Sequence, residues 1–400
     1  MHKLCIVPGS HHSLGGALVT LALLATGFKR CGESGRLCIV VWADSFTEKY
    51  LREAGHGDCL QVIKARSELG FAARALGWVT GQSRDIPLLL DNWTKRELMP
   101  VIAAAAPILR LSGRPVYHFC HDLGISENLL GKLGRKFAFG CLSPGVLCNS
   151  NFTAGYVRTL MADIRGVLYQ PVGTVCGNVA TAPPVGIEPL LHSGARVMLT
   201  PARISAEGAK APNDKNLRAL VAVVERLKAA GHHYHAVIVG QDRSPGQVQT
   251  RMLLEKAAHL GVSNRFTILP PTFAIEEYYQ YAHVMVTLAP REPFGRTVVE
   301  AIACGVPVVG SHSGGIGEIL GHFAPEWRVA PEDPAAAAQA IVRIATDPQT
   351  PSILARGQTW VATHCSTTAY ARQLMEITGL ASDARPVRTK RTSPLTVDAP

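Results

Sequence analysis

The chain has 400 residues, of which 47% are hydrophobic and 18% are charged. This length is too great for one ordinary core and predicts two domains of about 180 residues each. No stretch reaches the ~18 uninterrupted apolar residues that a membrane-spanning helix needs, and Pro8-Gly9 interrupts the first apolar run too early for a secretory signal.

The formal net charge is +10. It indicates either a basic surface without a specific partner or an affinity for anionic donors or lipid head groups. No nucleic-acid-binding motif accompanies the charge, so we expect no nucleic-acid partner and rank a lipid surface above it. The ten cysteines lack regular spacing and predict reduced core residues. We therefore expect a cytoplasmic protein, with attachment to the inner face of the membrane as a variant of that expectation.

The chain opens with a predicted strand at residues 3–7, a loop that ends in Gly15 and Gly16, and a predicted helix at 17–28. A strand, a glycine loop and a helix N-terminus together form a crevice that accepts an anionic ligand. A tight turn without a ligand is the alternative interpretation. The loop lacks the G-x-G-x-x-G spacing, so it does not favour a dinucleotide site.

Short apolar runs then alternate with helical segments, which indicates a parallel sheet with crossover helices. Strands are predicted at 37–42, 59–63, 86–90, 115–119 and 145–149, and helices at 46–55, 101–111 and 152–161. His121 comes directly after one of these strands, at the edge where open α/β sheets bind ligands. A turn or helix-capping role for His121 is the alternative.

Residues 129–139 (LLGKLGRKFAF) place Leu and Phe on one side of a predicted helix and Lys132, Arg135 and Lys136 near the other. An interfacial helix on a membrane surface has this pattern. So does an ordinary core helix with a solvated basic face, which is the interpretation that we favour.

Residues 176–195 are rich in Pro and Gly and lack periodicity, which predicts an interdomain linker. A strand predicted at 196–200 begins a second α/β unit. Further strands are predicted at 235–239, 265–269 and 283–288, and helices at 216–230, 275–281 and 353–379.

Two cations lie between the first strand and the first helix of this unit. Arg203 follows the strand, and Lys215 directly precedes the helix. Such a pair suits a diphosphate, because arginine binds phosphate oxygens bidentately while lysine acts as a point charge. Lys210 is a rival candidate in the same loop, and we favour Lys215 because of its place at the helix start. The alternative for either lysine is an exposed loop charge.

Two glutamates, Glu292 and Glu300, lie eight positions apart. Glu292 belongs to a Pro/Gly-rich loop, and Glu300 belongs to an apolar run of helical character at 298–303. A Gly-Val-Pro turn, a strand at 308–309 and a Gly-Gly pair follow. The start of the helix presents unpaired amides, which favour an anionic or hydroxyl-rich ligand. Glutamate is rarely buried without a partner, so we favour functional roles for both carboxylates over solvated ones.

The order Glu292, Phe294-Gly295, Glu300, Ala-x-Ala-x-Gly-x-Pro-Val and Gly-Gly resembles the E-x7-E signature of retaining glycosyltransferases with the two-domain GT-B architecture. More narrowly, it is similar to the nucleotide-sugar family called family 4, the glycosyltransferase group 1 domain. The resemblance extends over nearly the whole chain. It departs from the family pattern after the strand at 196–200, where Pro-Ala-Arg replaces the commoner Gly-Arg and the loop to the lysine is longer.

The resemblance implies a role for each candidate residue. Glu300 would bind the ribose hydroxyls of the nucleotide, Glu292 would contact the hydroxyls of the donor sugar, and His121 would lie against that sugar. The backbone amides of a short run would assist Glu292; these are the amides of Phe294, Gly295, Arg296 and Thr297.

Two further pairs would face the diphosphate. Gly15 and Gly16 would approach both the diphosphate and the acceptor, and Arg203 and Lys215 would stabilise the leaving diphosphate. No Asp-x-Asp motif is present in the sequence, so we expect no metal ion, and no cofactor besides the nucleotide-sugar substrate.

The predicted fold class is therefore α/β with GT-B architecture, in which two Rossmann-like doubly wound domains face each other across a cleft. The predicted divisions are an acceptor domain at 1–175, a linker at 176–195, a nucleotide-sugar domain at 196–355, helices that cross back to the first domain at 356–381, and a disordered basic tail at 382–400.

The predicted function is metal-independent transfer of a hexose, with retention, from a nucleotide-diphosphate sugar to a glycan, a lipid-linked sugar or a small molecule. A peripheral membrane contact through the basic first domain is part of the same hypothesis. Two alternatives are a non-catalytic protein that binds sugar nucleotides and a different GT-B enzyme, such as a phosphorylase or an epimerase.

Overall fold

The computed structural model describes residues 3–9, 11, 15–125, 129–173, 182–205, 214–272 and 274–380. The first half alternates strands and helices, in this order: β1 (Leu4–Pro8), α1 (Gly16–Arg30), β2 (Leu37–Trp42), α2 (Phe46–Glu53), β3 (Leu60–Ile63), α3 (Glu68–Thr80), β4 (Leu88–Asp91), α4 (Met99–Leu111), β5 (Val116–Cys120), α5 (Leu129–Leu142), β6 (Gly145–Cys148), α6 (Asn151–Val157) and β7 (Ile164–Val167).

The second half repeats this alternation. Its elements are α7 (Glu188–His192), β8 (Arg196–Pro201), α8 (Leu217–Ala229), β9 (Tyr234–Val239), α9 (Val248–His259), β10 (Phe266–Leu269), α10 (Ile275–Tyr279), β11 (Val284–Thr287), α11 (Arg296–Ala303), β12 (Val308–Ser311), α12 (Gly314–Gly321), β13 (Arg328–Val329), α13 (Pro334–Thr346), α14 (Thr350–His364) and α15 (Thr367–Ile377).

Each half forms one parallel sheet within the described residues. The strand order is β3-β2-β1-β4-β5-β6-β7 in the first sheet and β10-β9-β8-β11-β12-β13 in the second. In both sheets the order reverses beside the first strand, so the switch points lie between β1 and β4 and between β8 and β11. This is the GT-B architecture of two Rossmann-like domains, and the predicted fold class is confirmed.

Apolar side chains on both faces of each sheet explain why the strands are nearly continuous hydrophobic runs. One core surrounds the second sheet, and two cores cover the opposite faces of the first. The last helix, α15, packs on α1 and contributes Tyr370 and Leu374 to a core of the first domain.

The predicted domain boundaries remain predictions. Helix α7 lies inside the segment that we predicted to be a linker. The part of that linker at 176–181, the tail at 382–400 and the rival cation Lys210 lie outside the described residues.

Strands β7 and β13 and helices α9, α12 and α13 were not predicted. The two strands are sheet-edge elements of four and two residues, and β7 contains Arg165 and Gly166, so neither gives a clear apolar signal. No helix of the described residues is both long and apolar enough to cross a membrane.

The cysteine prediction is wrong at one position. Eight cysteines of the described residues are free thiols, four of them buried, whereas Cys304 at the end of α11 is disulfide-bonded. The irregular spacing of the cysteines does not indicate this bond.

Candidate functional site

A cavity of about 620 Å³ lies between the carboxyl ends of the two sheets. The candidates meet there because the loops at both switch points open toward the same cleft. Gly15 and Gly16 follow β1, His121 follows β5, Arg203 follows β8, and Glu292 follows β11. Nine of the eleven candidate residues line the cavity: Gly15, Gly16, His121, Arg203, Lys215, Glu292, Phe294, Arg296 and Thr297.

Arg203 is the exposed cation of this cleft, and it makes no hydrogen bond or ion pair with another described residue. Its loop is held against β9, because the amide of Ala202 donates to the carbonyl of Val239 at 3.1 Å. Gly240 makes this close approach possible, since a Cβ there would lie 1.8 Å from the oxygen of Ala202. The carboxyl end of β8 thus presents to the cleft a guanidinium that has no partner among the described residues.

Lys215 is already neutralised in this structure by an ion pair between its Nζ and Oε2 of Glu292. Its place is fixed by the next residue, Asn216, a buried left-handed residue at φ 52°. The side-chain amide of Asn216 donates to the carbonyls of Leu288 at 3.2 Å and Pro331 at 2.6 Å. Two candidates that were predicted separately, the diphosphate lysine and the sugar glutamate, are therefore in contact.

The Glu292 loop rests on the glycine pair that begins α12. The amide of Gly315 donates to the Glu292 carbonyl at 2.7 Å, and a Cβ on Gly315 would lie 2.4 Å from the oxygen of Phe294. Gly314 has φ 71°, where a side chain is disfavoured. The Gly-Gly pair of the sequence motif is thus required by backbone packing against the loop.

Helix α11 begins at Arg296, after Gly295 in a left-handed conformation at φ 99°. The amides of Arg296 and Thr297 consequently have no acceptor within the helix, as in the first turn of any helix. The Phe294 ring is buried and stacks on Tyr169, with ring centroids 6.2 Å apart. The predicted run of amides therefore lies at a helix N-terminus that opens to the cleft.

Glu300 lies one turn further along α11, and neither it nor Gly295 belongs to the described residues that line the cavity. Its Oε1 is 3.9 Å from Nη1 of Arg296, and the Tyr279 hydroxyl donates to Oε2 at 3.5 Å. Burial raises the pKa of the Glu300 carboxyl to about 7, although the Arg296 charge opposes this rise. Glu300 is thus a carboxylate whose charge changes near neutral pH.

His121 is held by polar contacts on both sides of its ring. Its Nε2 is 2.7 Å from Oδ1 of Asp91, and the Gln170 amide lies 2.9 Å from Nδ1. Because the Gln170 amide nitrogen donates, Nδ1 is the acceptor and Nε2 carries the proton toward Asp91. The ring also contacts Phe119, with ring centroids 4.5 Å apart. These contacts fix the orientation of the imidazole at the cleft wall.

Asp91 and Gln170 were missed from the sequence. Asp91 ends β4 and Gln170 follows β7, so each is a polar residue at the carboxyl end of a strand in the first sheet. This position at a strand end is the sequence signal by which both residues could have been found. His118, which lies on β5 three residues before His121, is by contrast fully buried and accepts a hydrogen bond from the Trp93 backbone amide at 3.1 Å. Burial lowers the pKa of His118 to about 4, which fits a neutral structural residue.

No group of three or more His, Cys, Asp or Glu side chains that could hold a metal ion occurs in the described part of the chain.

The second half of the chain is similar to a known protein family. Residues 208–358 match the family model of glycosyl transferases group 1. The matched segment begins in the Lys215 loop and contains Glu292 and Glu300. The similarity to this family model therefore covers the part of the chain that carries the two glutamates.

Two relatives are named D-inositol 3-phosphate glycosyltransferase. That of Salinispora tropica is 30% identical over 172 residues, which is 42% of this chain and 36% of the relative. That of Saccharomonospora viridis is 31% identical over 203 residues, which is 50% of this chain and 44% of the relative. The chain therefore matches less than half of the length of each of these two relatives.

Two solved structures share the fold over nearly the whole chain. Anabaena Alr3699/HepE in complex with UDP superposes with a TM-score of 0.74 at 19% identity, covering 94% of this chain and 98% of HepE. Sucrose-phosphate synthase of Thermosynechococcus elongatus gives a TM-score of 0.66 at 18% identity, with the same two coverages.

Proposed function

We propose that this protein is a retaining glycosyltransferase that transfers a hexose from a nucleotide-diphosphate sugar to an acceptor without a metal ion. The observation that carries the proposal is the convergence of Arg203, Lys215 and Glu292 on the N-terminus of α11, opposite His121. The group 1 family match and the names of the relatives support the same activity.

The diphosphate of the donor would occupy the cation side of the cleft. Its negative charge grows as the glycosidic bond breaks, and Arg203 has a guanidinium ready to bind its oxygens bidentately. Lys215 would exchange the Glu292 carboxylate for a phosphate oxygen, since both acceptors compete for one ammonium group. This exchange would release Glu292 to accept hydroxyl groups of the sugar.

The remaining candidates would position the donor. The amides of Arg296 and Thr297 would add the partial positive charge of a helix N-terminus, and Glu300 would accept hydroxyls of the ribose. His121, oriented by Asp91, would form the wall beside the sugar. We assign no protein base, because the resemblance implies front-face attack through an oxocarbenium-like ion pair. The acceptor would be a glycan, a lipid-linked sugar or a small molecule.

A thermal-shift screen of UDP-, GDP- and ADP-sugars, first without metal and then with EDTA, tests this function. UDP-glucose comes first, because HepE structures hold UDP and UDP-glucose. At a hundred times its dissociation constant a donor should stabilise the fold by about 2.7 kcal/mol. A shift that survives EDTA supports the proposal. Flat traces with every donor, together with no turnover, would favour the non-catalytic alternative.

We also propose a peripheral contact of the first domain with an anionic lipid surface. The solvent face of α5 carries four exposed apolar side chains, Leu129, Leu130, Leu133 and Phe137, whose exposed fractions are 71%, 73%, 53% and 67%. Lys132 and Lys136 are exposed on the same helix. The interpretation that we favour from the sequence is a core helix whose exposed face is basic and solvated. In the structure, the exposed face of α5 carries leucines as well as lysines.

The charge of the exposed face of α5 indicates which partner it would bind. Lysines beside exposed leucines and phenylalanine match anionic head groups and the acyl boundary beneath them. The third cation of the helix, Arg135, turns toward the cleft and donates to the carbonyls of Gly124 at 3.0 Å and Ile125 at 3.2 Å. The helix would thus connect a lipid surface with the acceptor side of the cleft.

Co-sedimentation with vesicles tests this contact. We expect binding to vesicles that contain phosphatidylglycerol, weaker binding to pure phosphatidylcholine, and at least a tenfold loss in the double variant Leu133→Ser and Phe137→Ser. A matched control, Met252→Ser with Leu254→Ser, removes exposed apolar side chains from α9. Equal binding by all three proteins would refute the proposed contact.

A further inference from the structure

The Arg296 side chain leaves the donor side of the cleft and reaches the first domain. Its Nη1 donates to the Pro171 carbonyl at 3.1 Å, and its Nη2 donates to the Gly16 carbonyl at 3.2 Å and to the Thr20 hydroxyl. Thr20 in turn donates to the same Gly16 carbonyl at 2.7 Å. The first residue of α11 is therefore bonded to the first turn of α1.

The Arg296 guanidinium is largely buried where the two domains meet. The side chain is 16% exposed, and burial lowers the pKa of Arg296. Among the described residues its Nε is buried without a hydrogen-bond partner, and Glu300 is the carboxylate paired with it, at 3.9 Å. A buried cation with one distant carboxylate contributes little to stability by itself, so its bonds to Gly16 and Pro171 call for another explanation.

A second contact between the domains lies on the other side of the Glu292 loop. Oε1 of Glu318, on α12, accepts the backbone amide of Asn151 at 2.9 Å, and Oε2 accepts that of Phe152 at 2.9 Å. Glu318 thereby caps the N-terminus of α6 with a carboxylate. From α6, the hydroxyls of Ser150 and Thr153 donate to the carbonyl of Pro293, the neighbour of Glu292.

We propose that Arg296 and Glu318 are positioning residues that hold the two walls of the cleft in register. Arg296 fixes the Gly15–Gly16 turn of the first domain against the helix whose amides face the donor. Glu318 fixes α6, and through the Pro293 carbonyl it fixes the backbone beside Glu292. The hydrogen bonds of both side chains go to the first domain, and Glu318 is not among the described residues that line the cavity. The inference rests on the proposed function, because the positions that it secures are those of the donor and the acceptor.

Positioning differs from simple structural support in what a substitution changes. The proposed nucleotide contacts come mainly from the second domain, so a loosened contact between the domains should leave affinity for a free nucleoside diphosphate nearly intact. Transfer requires both walls, and misplacement by about 1 Å can lower a rate about a hundredfold. Destabilisation alone would lower the melting temperature without separating these two quantities.

The test compares Arg296→Lys, which keeps the charge but loses the guanidinium fork, with Glu318→Gln, which keeps the size but loses the charge. Arg251→Met on α9 is the control for loss of an arginine outside the cleft. We expect UDP affinity by calorimetry to stay within about threefold in both variants, and kcat/KM for transfer to fall about 30-fold or more. The control should change neither.

Hydrogen–deuterium exchange supplies a readout that does not depend on activity. Amides at 16–24 should exchange faster in the Arg296 variant, amides at 151–157 should exchange faster in the Glu318 variant, and those at 248–259 should be unaffected in both. Unchanged exchange at the first two sites would overturn the inference. Equal losses of UDP affinity and of transfer would also overturn it, because they would place these side chains on the donor.

The two proposals can fail separately. If the wild-type chain binds and transfers no donor, the proposed function fails, whatever the exchange pattern. If it transfers a sugar and both variants transfer equally well despite faster exchange, the positioning role fails and the proposed function stands.

Discussion

Replacing Glu300 with glutamine should raise the stability of the free protein and lower its affinity for nucleotide. Burial raises the pKa of the Glu300 carboxyl to about 7, so the ionised carboxylate is the disfavoured form inside the fold. The same ionised form is the better acceptor for ribose hydroxyls under the proposed function. One substitution therefore tests a structural cost and a binding role together.

The magnitude and sign follow from proton linkage. The folded-state pKa of about 7 exceeds the ordinary value of 4.5 by about 2.5, which corresponds to about 3.4 kcal/mol at 1.36 kcal/mol per pH unit. The carboxyl binds its proton more tightly in the folded state, so wild-type stability is highest below pH 4.5 and is lost as pH rises through 7. Because the side chain remains 19% exposed, this value is an upper limit.

Glutamine cannot ionise, so the variant escapes this loss. We expect Glu300→Gln to be more stable than wild type by up to about 3 kcal/mol at pH 8 and by about 1 kcal/mol or less at pH 5. Urea unfolding of the free protein at both pH values measures the difference, with the exposed Glu326→Gln as control. A stability difference that is equal at pH 5 and pH 8 would refute the assignment of a raised pKa to Glu300.

The binding arm uses calorimetry with UDP. Loss of a charge-assisted hydrogen bond should weaken UDP binding by Glu300→Gln about tenfold at pH 8. Wild-type affinity should fall as pH drops below 7, because the carboxyl becomes protonated, whereas the affinity of the variant should change little. Identical UDP affinities at pH 8 would remove Glu300 from the ribose site and leave the stability argument intact.

Three further predictions concern the cleft walls. Arg203→Ala should lower kcat more than it lowers donor affinity, and equal losses in steady-state kinetics and calorimetry would remove its leaving-group role. Gly240→Ala places a Cβ 1.8 Å from the Ala202 carbonyl oxygen, so urea unfolding should show a loss of about 1–3 kcal/mol; unchanged stability would contradict the packing described. Asp91→Asn should lower kcat about tenfold with unchanged UDP affinity, because it weakens the hydrogen bond that orients the His121 ring. An unaltered kcat would show that the ring needs no orienting carboxylate.

The fold was predictable because it depends on local patterns. Continuous apolar runs such as 37–42 and 235–239 predict strands buried on both faces, and their alternation with helices predicts parallel sheets. The rule that ligands bind at the carboxyl ends of such strands predicts a ligand-binding position for His121. The resemblance to the GT-B family implied that Arg203 and Glu292 face the same donor.

Contacts between distant side chains were not predictable in this way. Nothing in the spacing of Lys215 and Glu292 shows that they form an ion pair, because that pair depends on how the loops after β8 and β11 meet. The hydrogen bond between Asp91 and His121 likewise depends on the register of β4 beside β5. The direction of the Arg296 side chain, away from the donor and into the first domain, is set by domain packing.

The most direct test of the account is a transfer reaction in EDTA, followed by proton NMR of the new glycosidic linkage at early times. We expect the first product to have the anomeric configuration of the donor sugar, and Arg203→Ala to form the same product more slowly. A product of inverted configuration would contradict retention. Transfer that stops when EDTA is added would contradict stabilisation of the leaving group without a metal ion.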